Sequence, residues 1–169
     1  MAAIRPARPE DLTAMQLVER SAGEPFRELG MDAIADDEPP RIEHLAQYQQ
    51  AGRAWVAVHD GAVVAYLIVD VVADAAHIEQ VSVDPRHGRQ RIGRELVETA
   101  ATWASQHGLT KLTLTTFTDV PWNAPYYGRL GFTELTEQEL SPELSAIRGV
   151  ERARGFDRWP RLAMLRQLD

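Results

Sequence analysis

The middle of the chain carries the clearest pattern of β-strands. Residues 53–59 (RAWVAVH) predict a strand that stops at Asp60–Gly61, a dipeptide typical of a hairpin turn. Residues 62–72 follow as a nearly continuous apolar run, as expected for a strand at the centre of a sheet. After a short turn, residues 77–83 predict a third strand, in which His77 and Glu79 lie on one face. The pattern therefore predicts a three-stranded meander.

Apolar residues at helical spacing mark the segments on both sides of this meander. Residues 12–21, 41–52 and 92–108 each predict a helix, and the last two end at a glycine, as helices commonly do. Residues 22–40 contain two glycines, three prolines and a dense acidic patch, which predict a loop with one short helical turn. The remaining predicted elements are a short first strand within residues 4–11, strands at 111–117, after Phe132 and at 161–168, and a helix at 141–155. Because no repeat or linker interrupts them, we expect one domain over residues 1–169.

Composition and charge narrow the class of protein. The 169 residues carry a net charge of −7 and a pI of about 5.2, which argues against a general binder of nucleic acid or anionic membranes. The absence of cysteine excludes disulfides, a thiol nucleophile and zinc binding by cysteine, and we expect no metal site. No signal peptide is recognisable, and no apolar run approaches the roughly 20 residues of a membrane helix. A soluble, cytoplasmic protein is expected.

One short stretch departs from this acidic character. Between Arg86 and Arg94 lie four arginines, a histidine and two glycines, and the stretch joins the third predicted strand to the helix that begins at Ile92. The start of a helix offers unpaired backbone N–H groups and a partial positive charge, while glycine allows close approach of a ligand. Such a turn suits a pyrophosphate. The alternative is a solvated basic loop. The dinucleotide-binding and P-loop motifs are both missing.

Two sequence motifs in this region resemble the GNAT family of N-acetyltransferases. In that family a strand ending in Val-x-Pro precedes Gln/Arg-x-x-Gly-x-Gly/Ala, and VSVDPRHGRQRIGRELVETA is similar to it. The second motif, Tyr-x-x-x-Gly-Phe, resembles YYGRLGF at residues 126–132. Gly88 and Arg91 replace the usual Gln/Arg and first glycine. The resemblance implies an α/β fold with a mixed, mostly antiparallel sheet of about seven strands, splayed at the cofactor site and flanked by helices.

The resemblance also implies where acetyl-coenzyme A binds. The pantetheine arm would pair with the backbone of Val81, Ser82 and Val83. The pyrophosphate would lie on Gly88, Arg89, Gln90, Arg91, Ile92, Gly93 and Arg94. Asn123 is a further candidate contact. Tyr127 resembles the general acid that protonates the thiolate, and Glu79 is the first candidate for the general base, with His77 second. For each of the three, a purely structural role is the alternative.

The acceptor is harder to read from the sequence. In the family, the segment between the first two helices often covers the acceptor, and here it supplies Phe26, Asp36 and Asp37. Trp55 and Trp122 are candidate apolar walls. The acidic residues favour a cationic or polyfunctional amine because clustered charge attracts ligands of opposite sign. The alternative is a solvated acidic loop.

Together these features predict an acetyl-CoA-dependent N-acetyltransferase that acts on the primary amine of a small molecule. Two alternatives are an acetyltransferase for protein N-termini or lysines, and a non-catalytic acyl-CoA-binding module of the same fold. We expect a monomer or homodimer that binds neither nucleic acid nor membrane.

Overall fold

Seven strands form a mixed sheet in the order β1-β2-β3-β4-β5-β7-β6 in a computed structural model that describes residues 2–169. The strands are β1 (Ala3–Pro6), β2 (Ala54–His59), β3 (Ala62–Val72), β4 (Ala75–Val83), β5 (Lys111–Phe117), β6 (Thr133–Leu135) and β7 (Arg161–Gln167). The helices are α1 (Leu12–Gly23), α2 (Asp32–Ala35), α3 (Ile42–Gln50), α4 (Ile92–Gln106), α5 (Ala124–Arg129) and α6 (Pro142–Ala153). Within these residues, no helix is both long and apolar enough to cross a membrane. The predicted α/β fold class is confirmed.

The chain divides into two compact units, each built from two stretches of sequence. Unit one comprises Met1–Val69 and Gln80–Thr99. Its strands β1, β2 and β3 pair antiparallel, and the predicted turn at Asp60–Gly61 joins the last two. Both turn residues have positive φ, 50° and 78°, as a hairpin turn with right-handed strand twist requires. The apolar faces of α1 and α3 form a core with these strands, including Met15, Leu45 and Tyr66.

Unit two comprises Asp70–Glu79 and Ala100–Asp169. Strand β5 pairs antiparallel with β7 from Lys111↔Gln167 to Phe117↔Arg161. The first residues of β4 pair parallel with β5, and the last pair in this register is His77↔Thr113. Helix α6 begins where the sequence predicts, with Ser141 as its N-cap accepting a hydrogen bond from the Leu144 backbone N–H at 3.1 Å.

Two local expectations need correction. The segment predicted as a loop with one short helical turn contains a 3₁₀ helix at Glu24–Leu29 and then α2. Gly30 separates them because its φ of 72° ends the first helix. Helix α5, which begins just before the second motif and includes its first four residues, is not predicted by the sequence pattern. It has only six residues, too few for helical periodicity to appear in the sequence.

Candidate active site

The basic turn in unit one is fixed to the sheet by Asp84. This buried residue follows β4, and its backbone N–H donates to the Val64 carbonyl at 2.9 Å. Its side chain accepts from the Arg86 backbone N–H at 3.0 Å and pairs with the Arg86 guanidinium at 2.7 Å. Those bonds from Arg86 lower the pKa of the Asp84 carboxyl, which therefore stays ionised. Arg86 therefore stabilises the turn through Asp84, and the other three arginines, Arg89, Arg91 and Arg94, are exposed.

Arg91 takes the backbone conformation that explains the glycine usual at this place in the motif. Its φ is 61°, in the left-handed region, and the Glu95 backbone N–H donates to its carbonyl at 3.1 Å. Helix α4 then begins at Ile92, which is buried, followed by the half-buried Gly93. Helix geometry gives the first backbone N–H groups of α4 no carbonyl one turn earlier. These amides suit an anion, as the motif implies.

The end of β4 in unit one has a second feature, which the sequence analysis missed. Val81 and Val83 are half-buried, whereas Ser82 is buried and its hydroxyl donates to Oε1 of Glu19 on α1. The Tyr66 hydroxyl donates to the same oxygen at 3.1 Å. Burial raises the pKa of Glu19, and the hydrogen bonds from Ser82 and Tyr66 act against this rise.

The two candidate bases lie in unit two, in different surroundings. His77 is buried, and its Nδ1 lies 2.9 Å from Oγ1 of Thr113. Burial lowers the pKa of His77, so its ring is neutral at pH 7. The Glu79 side chain is exposed at the surface, but nearby protein atoms displace water from around its carboxyl group. Loss of water, then the charges of Asp70 and Glu151, raise its pKa to about 7.

Helix α6 brings a set of charged residues to the sheet of unit two. Arg148, only 3% exposed, forms a two-bond ion pair with Asp157 at 2.8 and 3.1 Å and contacts Glu151 at 2.6 Å. Glu151 in turn accepts from the hydroxyl of Thr115 on β5 and pairs with Arg161 at 3.3 Å. The predicted helix therefore supplies Glu151, one of the carboxylates that raise the pKa of Glu79.

Tyr127 lies in the first turn of α5, and Asn123 is the residue just before this helix. Tyr127 is buried, with its ring edge-on to Tyr126 and Phe132 at centroid distances of 5.4 and 5.9 Å. Burial, then the charge of Tyr126, raise its pKa, so the phenol keeps its proton at neutral pH. Oδ1 of Asn123 accepts from the Phe117 backbone N–H at 3.3 Å, so this side chain ties α5 to the end of β5.

The acidic segment before α3 carries fewer unpaired charges than its sequence suggests. Arg27 pairs with Asp36 and also with Glu24 at 3.1 Å, and Arg20 pairs with Glu38 at 3.2 Å. Among the apolar candidates, Phe26 is half-buried on the 3₁₀ helix. Trp55 is 7% exposed within β2, so little of its surface can contact a ligand, whereas Trp122 is 38% exposed in unit two. No group of three or more metal-ligating side chains is present in residues 2–169.

Comparison with known proteins gives a family match and many structural matches. A model described as the acetyltransferase (GNAT) family matches residues 14–132, more than half of the chain. The fold is similar to that of N-acetylglutamate synthase from Neisseria gonorrhoeae complexed with coenzyme A and N-acetyl-glutamate, with a TM-score of 0.75 and 19% identity, covering 100% of this chain and 35% of that one. The chain thus spans about a third of that synthase.

Two further structures match over nearly their whole length. The ribosomal-protein-S18-alanine N-acetyltransferase from Escherichia coli has a TM-score of 0.68 and 22% identity, with 100% of this chain and 95% of that one covered. The PaiA N-acetyltransferase from Thermoplasma acidophilum in complex with coenzyme A has a TM-score of 0.70 and 15% identity, with 99% of both chains covered. At these identities the likeness shows the fold alone.

Proposed function

This chain belongs to the acetyltransferase (GNAT) family, and we propose that it moves an acetyl group from acetyl-CoA directly to the primary amine of a small molecule. The observation that carries the proposal is the turn at Arg91. A non-glycine residue is held there in the left-handed conformation of the motif's usual glycine, and α4 begins at the next residue. The chain thus keeps the backbone of the motif even where its side chain departs from it.

In this proposal the cofactor binds mainly through backbone groups. The amides at the start of α4 hold the pyrophosphate, and the exposed guanidiniums of Arg89, Arg91 and Arg94 add positive charge. The backbone of residues 81–83 holds the pantetheine arm, as the family resemblance implies. Asn123 is the weakest of the expected contacts, because its side-chain oxygen already accepts from Phe117.

The chemistry needs a neutral amine and a protonated leaving group. Glu79 takes a proton from the acceptor ammonium, directly or through water, and a carboxyl with a pKa of about 7 is suited to this near neutral pH. The amine nitrogen attacks the thioester carbonyl, the C–N bond forms and the C–S bond breaks. Tyr127, whose raised pKa keeps its phenol protonated, gives its proton to the departing thiolate, and the second proton that the nitrogen loses on becoming an amide passes back to the Tyr127 oxygen, directly or through water. His77 takes second place as the base, because its Nδ1 already contacts Thr113.

A small-molecule acceptor is favoured by the segment that follows α1. The Gln16 side-chain amide donates to the Pro40 carbonyl at 2.8 Å, and Arg20 of α1 pairs with Glu38. Within the segment itself, Arg27 pairs with Asp36. A segment held against α1 in this way suits a covered site better than an open groove for an extended peptide. An N-terminal protein acetyltransferase is the second candidate, because one of the similar structures is an enzyme for the alanine of ribosomal protein S18.

Coenzyme A release, assayed against panels of amines and of peptides, tests the proposal. Release with small amines supports it, release with peptides alone favours the second candidate, and release with neither contradicts transferase activity. Binding is measured separately as a shift in melting temperature. At 100 times Kd, acetyl-CoA adds about 2.7 kcal/mol, or roughly 5–10 °C for a domain of this size. The Gly93→Asp variant, which places a carboxylate beside the pyrophosphate, should lose that shift and keep its fold.

A further inference from the structure

Glu19 has an unusual environment for a carboxylate in this protein. Its Oε1 accepts hydrogen bonds from two hydroxyls, those of the fully buried Tyr66 and the buried Ser82. The side-chain amide of Gln80 donates to the Ser82 oxygen at 2.8 Å, so the single Ser82 proton is directed to Glu19. Among residues 2–169, both hydrogen bonds to the Glu19 carboxylate reach Oε1, and none reaches Oε2. One oxygen is therefore fixed and the other is available to a ligand.

No positively charged side chain of the described chain pairs with Glu19. The two buried carboxylates of the described residues do have such partners: Asp11 pairs with Arg5 at 2.7 Å, and Asp84 pairs with Arg86 at 2.7 Å. The charge that acts on Glu19 is instead that of Asp37, another carboxylate, which adds to the effect of burial in raising the pKa of Glu19. Glu19 is half-buried, and a carboxylate that loses part of its water is costly without a counter-charge. The missing charge is one that a bound cation would supply.

The position of Glu19 connects it to both substrates of the proposed reaction. Its neighbours on α1 contact the segment expected to cover the acceptor: Gln16 bonds to Pro40, and Arg20 pairs with Glu38. A Cβ placed on Gly23 would lie 3.4 Å from the Ala35 carbonyl oxygen, so the last turn of α1 also packs closely against this segment. On its other side, Glu19 bonds to Ser82, which lies in the strand proposed to hold the pantetheine arm.

We propose that Glu19 binds a positively charged group of the acceptor through Oε2, with Asp37 as a second negative charge nearby. The proposal rests on the acetyltransferase function proposed above. Because the amine that reacts must be neutral, recognition by charge requires a second cationic group on the acceptor. The favoured substrate class is therefore a diamine or another amine that carries a remote cation, and an acceptor whose remote group is a carboxylate is disfavoured.

Three primary amines on the same four-carbon chain test this inference. They are 1,4-diaminobutane, n-butylamine and 4-aminobutanoate, whose far ends are positive, neutral and negative. With saturating acetyl-CoA, wild-type kcat/KM should be at least tenfold higher for the diamine than for n-butylamine, and lowest for 4-aminobutanoate. Glu19→Gln should reduce kcat/KM for the diamine at least tenfold, or about 1.4 kcal/mol at 25 °C, through KM. Any loss with n-butylamine should be smaller, so that the preference for the diamine over n-butylamine decreases.

Glu38→Gln is the matched control, because this glutamate lies on the segment expected to cover the acceptor, yet it is exposed and paired with Arg20. It should keep the preference for the diamine. The melting-temperature shift with acetyl-CoA should be unchanged in Glu19→Gln. A second readout needs no turnover: in the presence of coenzyme A, 1,4-diaminobutane should raise the melting temperature of wild type but not of Glu19→Gln.

Several results would overturn the inference. One is a wild-type enzyme that acetylates n-butylamine as well as the diamine, which leaves the proposed transferase function intact. Another is a Glu19→Gln variant with unchanged discrimination, which would make Glu19 a protonated structural residue. A third is a Glu19→Gln variant that loses kcat for all three amines and shows a shifted acid limb in its pH profile of kcat/KM, which would make Glu19 the base. If acetyl-CoA does not bind and no amine reacts, the proposed function itself fails. Even then, the absence of any diamine-dependent stabilisation of wild type counts directly against cation binding at Glu19.

Discussion

Replacing Arg91 by glycine separates the backbone role of this position from its side-chain role. With φ at 61°, Arg91 is in a region that costs a residue with a Cβ about 1–2 kcal/mol. Glycine avoids that cost but loses about 0.4–1 kcal/mol to the greater freedom of the unfolded chain. The net expectation is a gain of about 0.5–1 kcal/mol. At 2–4 °C per kcal/mol, Arg91→Gly should raise the melting temperature of the cofactor-free protein by about 1–4 °C.

Arg91→Ala is the matched comparison, because alanine removes the guanidinium and keeps the strained backbone. It should melt within about 1 °C of wild type. If the Arg91 guanidinium contacts the cofactor, both variants should bind acetyl-CoA more weakly, by a similar factor, and the loss should shrink as salt screens the phosphates. The measurements are thermal melts and titrations with acetyl-CoA at two ionic strengths. A glycine variant that melts below wild type would refute the strain argument, since the exposed side chain offers no other reason for a loss.

Three further perturbations test the rest of the site and its support. Tyr127→Phe should lower kcat by about 10²–10⁴-fold with little change in either KM, as expected for a proton donor that acts mainly in the transition state; an active phenylalanine variant would leave Tyr127 a structural role. The pKa of Glu79 is raised to about 7, so kcat/KM should fall as pH drops through 7, and Glu79→Gln should remove that step, whereas His77→Ala should keep it. Because the pKa of Glu79 is higher in the folded than in the unfolded protein, ionisation of Glu79 destabilises the fold. The free energy of unfolding of Glu79→Gln should therefore exceed that of wild type by its full amount above pH 7, and by nothing below about pH 4.3, in denaturant titrations. Arg148→Ala removes the buried guanidinium that pairs with both Asp157 and Glu151 and should cost about 3–5 kcal/mol, or roughly 6–20 °C in melting temperature. Arg152→Ala should change much less, because Arg152 is exposed on α6 and makes its shortest ion pair with the exposed Glu137.

Much of the fold could be predicted because its strongest signals are local. The Asp60–Gly61 turn, the buried run of β3 and the serine cap of α6 each depend on a few neighbouring residues, and the structure confirms all three. The two short helices between α1 and α3 were harder to predict, because four to six residues cannot show a helical period and proline and glycine suggest a loop. The expectation of a single domain over the whole chain stays a prediction.

The candidate site was predictable only where a motif is contiguous in the sequence. The turn at residues 88–93 is such a motif. Glu19 is not, because its partners Tyr66 and Ser82 are 47 and 63 residues away and only packing brings them together. Its one local sign is a glutamate beside Met15 and Val18, on the edge of the apolar face of α1. The acidic segment shows the opposite error, since the pairing of Asp36 with Arg27 was not visible in the composition.

The way residues 24–40 are held has a consequence for how an acceptor would enter. These residues are held by the Gln16 hydrogen bond to Pro40 and by exposed ion pairs of Arg20 and Arg27. Added salt weakens exposed ion pairs. This segment should therefore be among the first in unit one to exchange its amide hydrogens, and faster in high salt, whereas the buried strand β3 exchanges last. If the acceptor passes beneath the segment, the rate of acceptor binding would be set by how often these ion pairs open. Ionic strength would then change the association rate by a route separate from the attraction between charges.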